Sequence, residues 1–239
     1  MVRYSVIPRK NPREIVMLRG RGCAWRRCRF CDYHLDFSRD EAANFALNRQ
    51  VLSQVTGRYG VLEVINSGSF VDLDERTLAQ IAQLCRQRGI GQIHFECHWM
   101  HRDRVADFRA MWRAMGVALK VKIGVETFDA LFRESYLVKG IDETDPARIA
   151  QDFDEVCLLQ GLPGQTVPGM IDDIQTGLAH FERVCVNIMN ANTSPIRPDP
   201  RVIDLFRREV YPRYADADRV DILMENTDFG VGEVDGDAQ

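Results

Sequence analysis

Apolar and polar positions along this chain follow two rhythms that take turns. Short apolar runs rich in Val, Ile and Leu recur at 13–20, 61–66, 91–97, 118–126, 153–164 and 183–190, each with the length and β-branched content of a buried strand. Between them, apolar residues recur at helical spacing over 39–60, 74–89, 104–116 and 168–181. Gly57 and Gly60 stop the first of these helices, Gly89 stops the second and Pro168 opens the last. A helix from the Pro-Asp-Pro start over 198–214 and a last strand over 219–226 complete the prediction.

Strands that alternate with helices in this way predict a parallel sheet, because parallel neighbours need a crossover to return the chain to the same edge. Right-handed crossovers curl such units toward a barrel, and a complete eight-unit barrel takes about 250 residues. Six units in 239 residues therefore predict an α/β fold, a partial (β/α)6 TIM-like barrel forming one domain, with its core at 13–190 and a C-terminal extension at 191–239. A doubly wound open sheet is the alternative. Both architectures bind ligands at the carboxyl edge of the strands, which collects Cys23 to Cys31, Asn66 to Phe70, Glu96 to His98, Glu126 and Gly161 to Thr166.

Composition narrows the setting. The chain has no run of about 18 apolar residues, and its basic start is not followed by an apolar stretch, so a cytoplasmic protein with no membrane partner is expected. Three of the seven cysteines crowd into nine positions, which points to metal-binding thiolates in a reducing compartment rather than to disulfides. The net charge of -4 hides two poles: residues 1–31 carry nine Lys or Arg against Glu14, and residues 215–239 carry eight acids against Arg219. The basic pole suits an acidic electron donor or an anionic ligand, and equally a solvated face with some Arg paired to the acidic tail. Nucleic-acid binding is the weakest of the options, since it takes a larger basic excess over a whole domain.

The loop GCAWRRCRFCDYH (22–34) carries the chemistry. Cys23, Cys28 and Cys31 can each bind one iron of a cubane [4Fe–4S] cluster, leaving the fourth iron open to a chelating substrate. The same spacing followed by His34 suits zinc held by three Cys and one His in a binding module. With a distant fourth cysteine it is also the spacing of plant-type [2Fe–2S] ferredoxins, for which Cys85 and Cys97 stand on a helix face and a strand end. The glycines after strands have a plain use in tight turns, and Glu126 in capping a helix that begins near Phe128. Cys157 and Cys185 read as core thiols within apolar strands.

With this loop after its first strand, the chain resembles the radical S-adenosylmethionine (SAM) enzymes. That family usually carries CxxxCxxC with an aromatic residue before the last cysteine; Phe30 holds that place here, and one extra residue lies between Cys23 and Cys28. NSGSF (66–70) resembles the segment that binds the amino group of SAM, implying Ser67, Gly68 and Ser69. IGVET (123–127) resembles the segment whose acid takes the ribose hydroxyls, implying Glu126. Phe30 and Tyr33 stand where the family contacts adenine, and GLPGQT (161–166) is similar to a fifth-strand turn of one branch. The resemblance covers about residues 13–190 and implies a 5′-deoxyadenosyl radical made by reductive cleavage of SAM, with electrons from a reductant such as flavodoxin or ferredoxin.

Within that family the opening segment, NSGSF and FECHW together look most like the small queuine lyases of queuosine salvage, which cut queuine to 7-aminomethyl-7-deazaguanine. The resemblance implies a free 7-deazaguanine-type substrate rather than tRNA, and rim groups that meet it: Asn66, Glu96, His98, Asn187, Asn190 and Asn192. A carboxylate such as Glu96 can accept from both N1–H and the 2-amino group of a guanine-like edge, with Asp72 and Asp154 in reserve. No residue is singled out as a catalytic acid or base.

Overall fold

The structure is a computed structural model that describes residues 1–232; the last part of the extension and of the acidic pole, 233–239, lies outside the described residues. One eight-stranded sheet runs in chain order: β1 (Tyr4–Ile7), β2 (Arg13–Leu18), β3 (Val61–Asn66), β4 (Gln92–Glu96), β5 (Ala118–Glu126), β6 (Glu155–Gln160), β7 (Arg183–Ile188) and β8 (Val220–Leu223). From β2 to β8 every neighbour pair is parallel, and the sheet curls into an open half-barrel. The six expected strands are β2 to β7, and β8 adds the last. β1 was not expected: YSVI is short and flanked by Arg and Lys, yet it pairs antiparallel with β2 and covers that edge.

Helices α1 (Glu41–Leu52), α2 (Glu75–Arg88), α3 (Val105–Ala114) and α5 (Val167–His180) pack on the convex face, joined by the one-turn α4 (Pro146–Ile149) before β6. Two short segments, α6 (Pro200–Leu205) and α7 (Tyr211–Tyr214), occupy the predicted 198–214 helix with a wider turn between them. Sequence sets the helix ends: Asp40 and Asp74 cap the first amide groups of α1 and α2, and Gly89 ends α2 in the left-handed conformation at φ +67°.

Alternation along each strand sorts the side chains by face. Val16, Val64, Phe95, Val121, Leu158 and Val186 pack outward into the helix layer, in a core that includes Ile81, Phe108 and Trp112. The opposite residues line the concave lumen, and its amino-terminal end is charged rather than apolar. Glu63 bonds both Arg13 and Lys122, Arg183 donates to Asp221 at 2.6 Å, and His94 meets Glu155 at 3.1 Å. Burial alone would discharge these groups, but Lys122 and Arg13 hold the Glu63 carboxyl well below its ordinary range, and Glu63 holds Lys122 well above its own. The network fills the amino-terminal end of the lumen with buried, paired charges. Among the described residues no helix is long and apolar enough to cross a membrane.

Candidate functional site

The rim gathers the cysteine loop, the turn after β3, the end of β4, the end of β5 and the segment after β7. Cys23, Cys28 and Cys31 are part-buried and free, and Cys28 and Cys31 pack against an apolar wall of Phe30, Leu137, Leu159, Leu162, Met189 and Ile196. Burial pushes the Cys28 thiol up to about 11 and the Cys31 thiol to about 12. Such thiols become thiolates only against a cation or a metal, which suits a ligand set of soft sulfurs.

A segment that the sequence did not mark holds the loop in place. The Arg29 N–H donates to the Leu137 carbonyl at 3.0 Å, and the Trp25 indole N–H donates to the Val138 carbonyl at 2.9 Å. Gly140, at φ +77°, lies so close to Trp25 that a Cβ would stand 2.3 Å from its ring. Val138 takes φ +57°, a costly conformation for a β-branched residue, maintained by these contacts. Arg26 turns left-handed at φ +50°, which takes up the extra residue between Cys23 and Cys28.

Lys139, in the same segment, is a candidate site residue that the sequence motifs did not mark. Its ammonium donates to Glu126 at 2.7 Å and stands 5.6 Å from the Phe30 ring centre. Burial works against the charge, but Glu126 and the neighbouring Cys28 sulfur raise its pKa. Glu126 does not cap a helix. It sits at φ +71° beside a bulge in β5, and a Cβ on Gly124 would fall 2.5 Å from its carboxylate and 2.9 Å from the Lys139 nitrogen. The only signals available were Gly124 and Gly140, residues that leave room for the ion pair and for Trp25.

The turn after β3 seats directly on the cysteine loop, because a Cβ at Gly68 would lie 3.1 Å from the Cys23 Cα and 2.3 Å from an Asp72 oxygen. Ser67 donates to the Asp36 carbonyl at 2.5 Å, and the Ser69 hydroxyl accepts from the His98 N–H at 2.9 Å. Asp72 accepts from the Ser69 N–H at 2.7 Å. Both serine hydroxyls and Asp72 thus shape the turn. Asn66 donates to the Ser69 carbonyl, while its side-chain oxygen is buried without a partner.

The expected substrate groups fall into two sets. His98 is used on both ring nitrogens: Nε2–H donates to the Lys139 carbonyl at 2.9 Å, and Nδ1 accepts from the Met100 N–H at 3.2 Å. Burial, then the Lys139 charge, lowers it to about 4, and the neutral ring stacks on Trp25 at 5.6 Å. Asn190 bonds the Met224 carbonyl and the Asn226 N–H, tying β7 to the extension, and Asn192 donates to the Phe30 carbonyl at 2.8 Å, tying the post-β7 segment to the cysteine loop. Asp154 lies at the opposite end of the sheet, just before β6, where it accepts from Arg109 and from the Val121 N–H.

Glu96 and Asn187 differ from these, since their side chains have no hydrogen-bond partner among the described residues. Glu96 pairs in register with Lys122 on the lumen face, between the Lys122–Glu63 pair and the Glu126–Lys139 pair. Burial, only partly offset by Lys122, pushes its carboxyl up to about 7. Tyr33, on the cysteine loop, has 53% of its surface exposed. Below the rim, Cys157 and Cys185 are register partners on β6 and β7, both free, with Cys185 buried.

Among the described residues no three His, Cys, Asp or Glu side chains are gathered as for a single metal ion. The fit of a cluster rests instead on the donor set, three thiols on one loop, of which Cys28 and Cys31 pack against an apolar wall. Cys85 is buried on α2, and the Cys97 thiol donates to the His98 carbonyl at 3.4 Å. A zwitterionic nucleotide also chemically fits the rim, which offers the Glu126–Lys139 ion pair, the side-chain-free Gly68 beside Cys23 and the partnerless Asn66 oxygen at the ends of β3 and β5.

No family model matches the chain, and no curated protein matches it in sequence. Among solved structures, a queuine lyase from Clostridium spiroforme bound to SAM and queuine superposes with a TM-score of 0.92 at 37% identity, over 98% of this chain and 100% of that one. Streptococcus suis SuiB bound to S-adenosylmethionine shares the fold alone, with a TM-score of 0.52 at 12% identity over 90% of this chain and 48% of that one.

Proposed function

The chain belongs to the queuine lyase family of radical SAM enzymes, and from that premise we propose that it cleaves queuine to 7-aminomethyl-7-deazaguanine in the lumen of the half-barrel, with SAM and a [4Fe–4S] cluster as its cofactors. The end-to-end match to the queuine-bound lyase carries this conclusion. It makes the chain a carbon–nitrogen lyase.

When bound, the cluster and SAM supply the hydrogen-abstracting chemistry that opens a carbon–nitrogen bond of queuine. Cys23, Cys28 and Cys31 would hold the cluster, with Cys28 and Cys31 set against the apolar wall. Gly68 leaves room beside Cys23, and the Asn66 oxygen offers an acceptor to the amino group of SAM. Lys139 offers an ammonium to the carboxylate of SAM, and Glu126, held by Lys139, offers oxygens to the ribose. The backbone of Phe30 to Tyr33, braced by Asn192 and by Thr193 on Asp32, borders the adenine.

Glu96 is the substrate-orienting group. An ionised carboxylate accepts from N1–H and the 2-amino group together, and its lack of a partner leaves both oxygens free for that edge. Asn187 lines the neighbouring wall. The amino-terminal end of the lumen is filled by the Arg13–Glu63–Lys122 network, and queuine enters from the same rim as SAM. The electron comes from a soluble reductant such as flavodoxin or ferredoxin, and a reducing cytoplasm suits seven free thiols.

Anaerobic incubation of the reconstituted protein with queuine, SAM and dithionite tests this function. The expected products are 7-aminomethyl-7-deazaguanine and 5′-deoxyadenosine, formed together. Queuine left intact while SAM is cleaved would overturn the substrate and leave the superfamily chemistry standing.

A further inference from the structure

The structure accounts for most of the basic pole and leaves one part of it unspent. Of the nine cations in residues 1–31, Arg3 pairs with Asp36, Arg13 with Glu63 and Arg21 with Glu41, while Arg9 is exposed outside the cysteine loop, between β1 and β2, with no ion-pair partner among the described residues. Arg19 bonds Asn44, and Lys10 bonds the Val220 carbonyl. Arg26, Arg27 and Arg29 are exposed on the cysteine loop, and none has a carboxylate within ion-pair distance among the described residues. Each lies over an aromatic ring instead: Arg26 over Phe37 at 4.6 Å, Arg27 over Trp25 at 5.0 Å and Arg29 over Tyr136 at 5.9 Å. Arg102 does the same over Trp99 at 4.4 Å, one residue beyond the His98 that stacks on Trp25.

Rings beneath the guanidiniums fix their orientation without neutralising them, so little side-chain freedom remains to be lost on contact. Asp32, the acid on the same loop, already accepts from Thr193. A cationic face on a chain of net charge -4 is opposite in sign to the whole, which steers an anionic partner to this spot rather than to the molecule at large. Arg27 and Arg29 flank Cys28, so a partner seated on them lies against the ligand loop.

We infer that Arg26, Arg27 and Arg29 form the docking surface for an acidic one-electron carrier protein, whose redox group meets this chain at the cysteine loop. The inference rests on the proposed radical SAM function, because a cluster held there must be reduced from outside. The partner is a protein with acidic residues around its flavin or iron–sulfur group. A phosphate backbone would need a longer basic track than three guanidiniums to bind firmly at physiological salt.

The test compares wild type with the Arg27→Gln/Arg29→Gln double variant, which leaves Arg26 with its bond to the Cys23 carbonyl. Bleaching of the reconstituted cluster is followed anaerobically with two reductants: reduced flavodoxin, an acidic protein, and reduced methyl viologen, a small cation that needs no docking surface. With flavodoxin the wild-type rate should fall steeply as salt rises through the range where the screening length drops below about 10 Å. The variant should bleach at least about tenfold more slowly than wild type at low salt and lose most of that salt dependence. With methyl viologen the two proteins should bleach alike. Equal flavodoxin rates, a salt-independent wild type, equal slowing with both reductants, or a variant impaired only in binding tRNA would each overturn the inference. Queuine turnover driven by dithionite is scored separately: its absence in wild type refutes the substrate, while arginine-dependent bleaching still supports the docking surface.

Discussion

Glu96→Gln is expected to lower kcat/KM for queuine by about a hundredfold, mostly through KM, while leaving the protein folded and loaded with its cluster. The carboxylate has no hydrogen-bond partner among the described residues, which on the proposed function leaves its bonding capacity to queuine. A glutamine keeps the shape, but it offers one acceptor where a guanine-like edge needs two and turns a donor toward a donor. Truncating one side of a buried charge-assisted pair costs about 2–5 kcal/mol, and about 1.4 kcal/mol is a factor of ten. Burial raises Glu96 to about 7, and the protonated acid loses an acceptor. Wild-type affinity for queuine should therefore weaken as pH falls below about 7, approaching tenfold per unit, while that of the variant stays flat. Stability moves the other way. A carboxyl raised above its unfolded value costs the fold nothing below about pH 4.5 and costs increasingly as pH climbs through about 7, so the variant should out-melt wild type on the alkaline side. Titration calorimetry with queuine and a melting series from pH 5 to 8 read both effects. A variant with wild-type kcat/KM would remove Glu96 from the site.

Replacing any one of Cys23, Cys28 and Cys31 by Ser is expected to take bound iron from about four per chain to near zero and 5′-deoxyadenosine formation to background. Two remaining thiols cannot carry the charge of a cubane, and burial against Phe30, Leu159 and Met189 leaves few other donors there. Cys157→Ser and Cys185→Ser should keep full iron, since the two are register partners on β6 and β7, outside the cysteine loop. Iron and sulfide analysis after reconstitution separates the two sets. Full iron in a Cys28→Ser protein would mean another side chain completes the site.

Much of the architecture was legible because it depends on periodicity, which is local. The run VLEVIN is bounded as predicted at 61–66, and α2, α3 and α5 differ from prediction by a residue or two at their ends, but α1 stops at Leu52, eight residues short of the expected end at Gly60. β1 was hidden because four residues between charged flanks carry too little pattern. The three loop cysteines were legible as spacing. The groups that hold them were not: Lys139, Val138 and Gly140 lie in an aperiodic loop, and their use appears only once Trp25 and Glu126 are brought against them from 13 and more residues away. Polar residues at strand ends were legible as candidates but not in their roles. Asn190, Asn192, Ser67, Ser69 and His98 look the same in sequence as Glu96, and what separates them is whether the fold already uses their hydrogen bonds.

An iron corner free of protein ligands, beside a rim built for a zwitterionic nucleotide, is the central claim. Electron paramagnetic resonance of the reduced, reconstituted protein tests it most directly, recorded with and without SAM. A [4Fe–4S]+ signal that shifts when SAM is added, and broadens further with SAM labelled with 17O at its carboxylate, is the predicted result. A signal indifferent to SAM and to the label, or zinc in place of iron, would contradict it.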